Sequence, residues 1–304
     1  MAVTDCSSPS RRRLTHFTPL RYPGGKGKLA AYVKEILSHN NLLDGCYIEP
    51  YAGGAAIALE LLMQEYVSRI CINDYSKPIY SFWKCVLDET DDLCRLIRDT
   101  PLTLESWLKQ KSIFKNQKEQ DDLNLGFATF FLNRTNRSGI LNGGIIGGRD
   151  QSGPWKIDAR FNRMELVYRI ESIAKMRSRI SLSRLDALEF LKTGLSIWPT
   201  KTLIYLDPPY YVKGRDLYYD FYQPKDHQEL ASFIIERMSQ HRWIVSYDNA
   251  PQIRNFYSKS TRLTYELGYS ARQSSPAGVE VMFFSELLKV PNLVGPFRVV
   301  ADNA

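Results

Sequence analysis

The run from Cys46 to Asp74 constrains this chain more than any other. It reads as a short apolar strand (Cys46–Glu49), a glycine turn (Pro50–Gly54), a helix (Ala55–Gln64), a second strand (Arg69–Asn73) and then an acid. Strand, tight turn, helix and strand in that order form a parallel crossover unit, which packs in only one hand. Ligands of such sheets sit beyond the carboxyl ends of the strands, and an acid ending the second strand is placed to bond ribose hydroxyls. Asp74 stands 21 residues past Gly53, as that arrangement requires. The expected fold is therefore α/β with a Rossmann-like sheet. The G-x-G-x-x-G of dinucleotide enzymes is absent, which argues against an oxidoreductase. Glu49, at the first strand's tip, puts negative charge where a ligand would lie. That suits a sulfonium cation better than a pyrophosphate.

The rest of the chain extends the pattern. Upstream, Leu29, Tyr32, Val33, Ile36 and Leu37 recur at helical spacing. From Pro78 to about Asn133 the sequence is helical, with Ile79, Phe82, Trp83, Val86 and Leu87 on one face. Gly139 to Gly153 holds six of the 18 glycines and reads as loop or hairpin. A helix over 163–177 follows. Strands resume at Ile180–Ser183, Leu203–Leu206 and Trp243–Ser246, with a helix over 226–239. Two late β-rich runs, Arg262–Leu267 and Val279–Phe284, predict an antiparallel hairpin at the sheet edge. The expected organisation is a disordered basic arm (1–15), a catalytic domain (16–77 plus 160–290), a helical insert (78–159) and a tail (291–304).

Bulk properties exclude several classes. No apolar stretch approaches the about 20 residues that cross a bilayer, and no apolar segment follows Arg11–Arg13 as a signal peptide would need. The five cysteines include no C-x-x-C pair, and the four histidines lack metal-ligand spacing. The expectation is a cytoplasmic protein with reduced thiols and no metal. A net charge of +7 favours a polyanionic partner. Its distribution is more telling: 126–163 carries six Lys or Arg against two Asp.

The strongest chemical signal is Asp207-Pro208-Pro209-Tyr210, directly after an apolar strand. The exocyclic amine of adenine is a poor nucleophile because its lone pair is delocalised into the ring. A carboxylate and a carbonyl that each accept one N6–H bond would localise that pair and aim it. Asp207 can supply the first and the Pro208 carbonyl the second, with Pro209 helping to fix the backbone. Tyr210 offers a face for an extruded base to stack on. A second signal, Tyr22-Pro23-Gly24-Gly25-Lys26, precedes the first helix. It fails the phosphate-loop pattern because Gly27 follows Lys26.

In this order, the motifs Y-P-G-G-K, E-P-Y-A-G and D-P-P-Y resemble the Dam-type family of DNA adenine N6-methyltransferases, over about Phe17 to Leu288. The long insert between Asp74 and Asp207 is similar to the alpha arrangement of that family, in which target recognition precedes the catalytic tetrad. The resemblance implies a class I methyltransferase sheet, mostly parallel with an antiparallel edge hairpin, and a mainly helical target-recognition insert. It implies S-adenosylmethionine as cofactor, held by Tyr22, Lys26, Glu49, Pro50, Tyr51, Gly53, Asp74, Asp186, Ala187 and Asp207, with double-stranded DNA as partner. Asn133-Arg134-x-x-x-Ser138-Gly139 resembles a family segment that packs near DNA and the active site. Ala55 stands where a third small residue is often glycine. The loop 143–158 departs from the recognition hairpin of the enterobacterial enzyme, so no target sequence is implied; the resemblance does admit a restriction-endonuclease or defence-system partner within restriction-modification.

The residues indicate DNA independently of any family. Arg21, Arg134, Arg137, Arg149, Lys156, Arg160 and Arg163 are suited to phosphates or guanine edges, and Gln151 and Asn142 to adenine. Trp155 is a candidate to stack. Two other readings stand beside the enzyme: a catalytically silent DNA-binding module on the same fold, and an amino-methyltransferase acting on RNA or on protein glutamine. Glutamine-directed enzymes usually carry N-P-P-Y, so Asp207 argues against the last.

Overall fold

Strands β1 (Gly45–Glu49), β2 (Val67–Asn73), β3 (Ile180–Ser183), β4 (Thr202–Leu206) and β5 (Arg242–Asp248) run parallel in a computed structural model that describes residues 16–21, 26–212, 222–267, 278–292 and 297–300. Three antiparallel strands, β6 (Thr261–Leu267), β7 (Gly278–Phe284) and β8 (Phe297–Val299), complete one sheet in the order β3-β2-β1-β4-β5-β7-β6-β8. Every residue of β1 and β4 is buried. That is why both read as continuous apolar runs: strands covered on both faces have no polar side to show.

Alternate side chains feed two cores. Tyr47, Ile70, Ile72, Leu203 and Tyr205 pack against helices α1 (Ala30–His39) and α2 (Ala56–Met63). Cys46, Ile48, Ile204 and Leu206 face α8 (Ala187–Gly194), α9 (Pro224–Arg237) and α10 (Pro251–Phe256) on the other side. The order reverses between β1 and β4, so the crevice at their carboxyl ends is the switch point where ligands of open sheets bind.

Between β2 and β3 lie α3 (Lys77–Asp88), α4 (Thr90–Asp99), α5 (Leu104–Lys115), α6 (Asp122–Thr135) and α7 (Arg163–Ala174). Helix α6 is buried from Leu125 to Asn133, with Phe130 stacked on Phe82 of α3 at 5.8 Å. Gly126 permits that approach: a Cβ there would lie 2.7 Å from the Ser81 carbonyl. The apolar faces of these helices join the core that covers the sheet.

Two expectations change. The hairpin β6–β7 is one strand in from the edge, because residues 297–299, expected within a tail, pair with β6. Ala55 adopts a left-handed conformation (φ 46°), so the helix expected from Ala55 starts at Ala56. The basic arm 1–15 lies outside the described residues.

Candidate active site at the strand tips

Asn73, fully buried at the end of β2, binds the tips of three strands together. Its amide donates to the carbonyls of Pro50 and Leu185, each at 3.0 Å, and accepts from Ser183 Oγ and the Leu185 N–H. Asp74 follows, half-buried. One oxygen accepts the Gly53 N–H at 2.8 Å and the other the Ser76 N–H at 3.0 Å. The glycine turn is thus clamped to the second strand, and Trp83 Nε1 donates to the Gly53 carbonyl from α3.

Glu49 differs from expectation. Its side chain is buried, and Oε1 accepts Tyr47 Oη and the Ala58 N–H. Burial pushes the carboxyl up to about 8, against those hydrogen bonds, with Asp207 adding to the rise. At neutral pH Glu49 is therefore largely protonated, not a standing negative charge. Next to it Tyr51 Oη lies 2.9 Å from Tyr222 Oη, the two rings edge-on at 6.0 Å. Pro50 is buried behind them. Asp186 caps α8 through Oδ1, which accepts the Leu188 and Glu189 N–H groups, while Ala187 is buried in the first turn.

Asp207 extends β4. Its side chain is 25% exposed, yet Oδ1 is buried without a hydrogen-bond partner, and Lys26 Nζ stands 3.6 Å from it. Lys26 is itself buried and closes a short ion pair with Glu280 Oε2. Tyr210 Oη donates to Glu280 Oε1 at 2.7 Å and lies 3.4 Å from Lys26 Nζ. Burial raises Asp207 to about 6; Lys26 works against that rise and Glu280 adds to it. For Lys26, burial opposes the charged form, but Asp207, Tyr265, Glu280 and Tyr210 together hold its ammonium well above the ordinary lysine range. The backbone after the tetrad is fixed by Asp248, whose carboxylate accepts the Tyr211 and Val212 N–H groups at 2.8 and 3.0 Å. Pro208 is buried and Pro209 half-buried. Tyr22 lies outside the described residues.

The expected DNA-contacting residues divide into two groups. Arg137, Ser138, Arg149 and Lys156 are exposed, and Trp155 is 65% exposed with the Arg160 guanidinium 5.8 Å from its ring centre. Asn133 and Gln151 depart from expectation because their amides are committed inside the protein. Asn133 bonds the Arg21 N–H, the Arg21 carbonyl and the Gly139 carbonyl. Gln151 bonds the carbonyls of Ile146 and Gly148 and the Ile157 N–H, closing the glycine-rich loop on itself. Arg134 and Arg21 are half-buried and hold backbone carbonyls of Arg160, Pro19 and Asn136. Burial and neighbouring arginines lower Arg134 to about 9, and burial and Arg160 lower Arg21. Arg21, Arg160 and Arg169 crowd around Arg134, and Glu165 offsets part of their repulsion.

Sequence reasoning missed Glu280, Asp248, Asn73 and Tyr265. Glu280 sits in a β-rich run, G-V-E-V-M-F-F, where one acid among apolar residues of a central strand was the available signal. Asp248 and Asn73 each end a strand, the position that faces the crevice.

Among the described residues, no helix is long and apolar enough to cross a membrane, and no group of three or more His, Cys, Asp or Glu is arranged to hold a metal. A family model for D12 class N6 adenine-specific DNA methyltransferases matches residues 22–270. The Type II methyltransferase M.MjaIII of Methanocaldococcus jannaschii is 23% identical over 205 residues, spanning 63% of this chain and 68% of that protein. The crystal structure of protein LPL1258 from Legionella pneumophila is similar at a TM-score of 0.33 and 11% identity over 87% of this chain and 86% of that one, too loose a likeness to carry an argument. With the family match running across the glycine turn, the helices between β2 and β3 and the D-P-P-Y tip, the chain belongs to the D12 class of N6 adenine-specific DNA methyltransferases, which methylate adenine in DNA using S-adenosylmethionine.

Proposed function

We propose that Asp207 and the Pro208 carbonyl orient the target amine, and that the crevice between the tips of β1 to β4 holds the methyl donor. The residues there fit that ligand. A buried carboxylate oxygen without a hydrogen-bond partner faces Lys26 on one side, one acid follows β2 and another precedes α8. S-adenosylmethionine, when bound, supplies a methyl group on a cationic sulfur. Asp74 and Asp186 would take its ribose and adenine ends, Tyr51 and the Gly53 turn would line the cavity, and Glu49 would ionise as the cation arrives. Asp207 works as an acceptor of the N6 hydrogens, not as a strong base. Orientation of the amine supplies much of the rate, and its proton leaves after transfer. Tyr210, anchored by its hydroxyl, keeps the ring beside Asp207 where an extruded base would stack.

The DNA face comprises Arg21, Arg134, Arg137, Arg149, Lys156 and Trp155, with residues 78–159 as the recognition insert. Asn133 and Gln151 shape this face. The observation that carries the proposal is the Asp207 carboxylate at the switch-point strand tip, with an oxygen free of hydrogen bonds beside a buried ammonium. Long-read modification mapping of DNA from cells expressing the protein tests it. N6-methyladenine in one sequence context, absent with Asp207→Ala, is expected. Unchanged modification with Asp207→Ala would overturn the assignment.

A further inference from the structure

Glu280 is 2% exposed, in the middle of a sheet, yet three donors converge on it. Oε1 accepts Tyr210 Oη; Oε2 accepts Tyr265 Oη at 2.8 Å and pairs with Lys26. Tyr265 comes from β6, where it pairs directly with Glu280 in register, and its hydroxyl also lies 3.4 Å from Ser246 Oγ of β5. Lys26 comes from the turn before α1, Tyr210 from the tip of β4. Two carboxylates, Glu280 and Asp207, therefore share one ammonium, and they share it unequally. Lys26 Nζ is in direct contact with Glu280 but 3.6 Å from Asp207, outside hydrogen-bond range.

That asymmetry has a chemical consequence. A buried ammonium next to a single carboxylate closes onto it, because an unpaired buried charge is costly. A carboxylate so engaged is a weaker acceptor for a neutral amine. We infer that Glu280 is a positioning residue of the methyl-transfer site: it holds Lys26 closer to itself than to Asp207, fixes Tyr210 by its hydroxyl, and leaves Asp207 with only the longer ion pair, open to the target amine. The inference deepens the role proposed for Asp207 and rests on it. Acting through Lys26 and Tyr210, Glu280 need not touch either substrate.

Glu280→Gln keeps the shape and an acceptor oxygen while removing the charge. Lys26 then closes on Asp207. Single-turnover methyl transfer should fall roughly tenfold or more at pH 8, the factor expected when about 1.4 kcal/mol of transition-state stabilisation is lost. DNA affinity should stay within about threefold, since no phosphate contact is altered. The acid limb of the pH–rate profile should move to lower pH, because Asp207 gains a direct cation and loses a neighbouring anion. A residue that only supports packing would lower the rate equally at every pH. The second comparison is Glu280→Gln against Glu280→Gln/Lys26→Met, both at saturating S-adenosylmethionine. The double variant should transfer faster than Glu280→Gln, because no ammonium is left to close on Asp207.

An unmoved acid limb in Glu280→Gln, or a double variant no faster than Glu280→Gln, would overturn the inference. If Glu280→Gln does not fold, Glu280→Asp, which keeps the charge but shortens its reach to Lys26, takes its place: the acid limb should move the same way by less, and an unmoved limb would overturn the inference. Wild-type protein that transferred no methyl to DNA would instead strike at the reading of the site itself, so the two failures are distinguishable.

Discussion

Replacing Lys26 by methionine leaves two buried carboxylates without their shared cation. The side chains of Lys26 and Glu280 are 4% and 3% exposed, so solvent does little to screen the loss. Removing one partner of a buried ion pair costs about 3–5 kcal/mol. At roughly 2–4 °C of melting temperature per kcal/mol for a chain of this size class, Tm should fall by about 10 °C at pH 8. The penalty depends on pH, and its sign can be worked out. Burial already raises Asp207 to about 6 against the pull of Lys26. Without that pull it rises further, while an unfolded aspartate titrates near 3.9. The folded state therefore binds the proton more tightly than the unfolded one, and stability falls as pH rises from about 4 through the folded value. The deficit relative to wild type should be small near pH 4.5 and reach its full size by pH 8. Urea unfolding of both proteins at half-unit pH intervals measures it. A deficit under about 1 kcal/mol, or one equal at pH 4.5 and pH 8, would refute the reasoning that Lys26 compensates the buried Asp207 and Glu280.

Other consequences are as direct. Burial holds Glu49 up to about 8, so cofactor binding that ionises it should strengthen as pH rises from 6 to 8. Calorimetric titration with S-adenosylhomocysteine, which lacks the sulfonium charge, should show a weaker pH dependence than S-adenosylmethionine, and Glu49→Gln should remove the difference. Gly139 has φ +76°, and a Cβ there would meet the Arg21 carbonyl at 2.2 Å. Gly139→Ala should lose about 2–4 kcal/mol in urea unfolding, combining left-handed strain with broken Asn133–Arg21 hydrogen bonds; a loss under about 1 kcal/mol would contradict the close approach. Arg149 is exposed on the glycine-rich loop. If it contacts a phosphate, Arg149→Ala should lower the slope of log K against log salt by about one in fluorescence-anisotropy titrations.

What the sequence disclosed, and what it withheld, follows from the range of the interactions. Strands β1 and β4 were legible because both faces are covered, which leaves an uninterrupted apolar signature at Cys46–Glu49 and Leu203–Leu206. The D-P-P-Y tip and the acid at Asp74 were legible because their positions are set by chain neighbours. Glu280 was not, since its meaning depends on Lys26, 254 residues away in sequence, and on the β6–β7 register. The protonated state of Glu49 was equally hidden: a carboxyl's charge depends on its burial, and burial is a property of the assembled fold. Gln151 looked like a reader of bases because amides are. Whether an amide faces DNA or closes a loop is decided by backbone groups such as Ile146 and Gly148, whose position only the fold reveals. Strand β8 escaped because its three residues are too short to show a period.

The proposed chemistry turns on the carboxylate at the tip of β4, and one variant isolates it. Methyl transfer and DNA affinity of Asp207→Ala should be measured on the same duplex, by single-turnover incorporation of labelled methyl and by gel shift. Transfer reduced at least about a thousandfold (roughly 4 kcal/mol), with affinity changed less than about threefold, is the predicted result. Transfer within about tenfold of wild type, or loss of binding in proportion to loss of transfer, would contradict it.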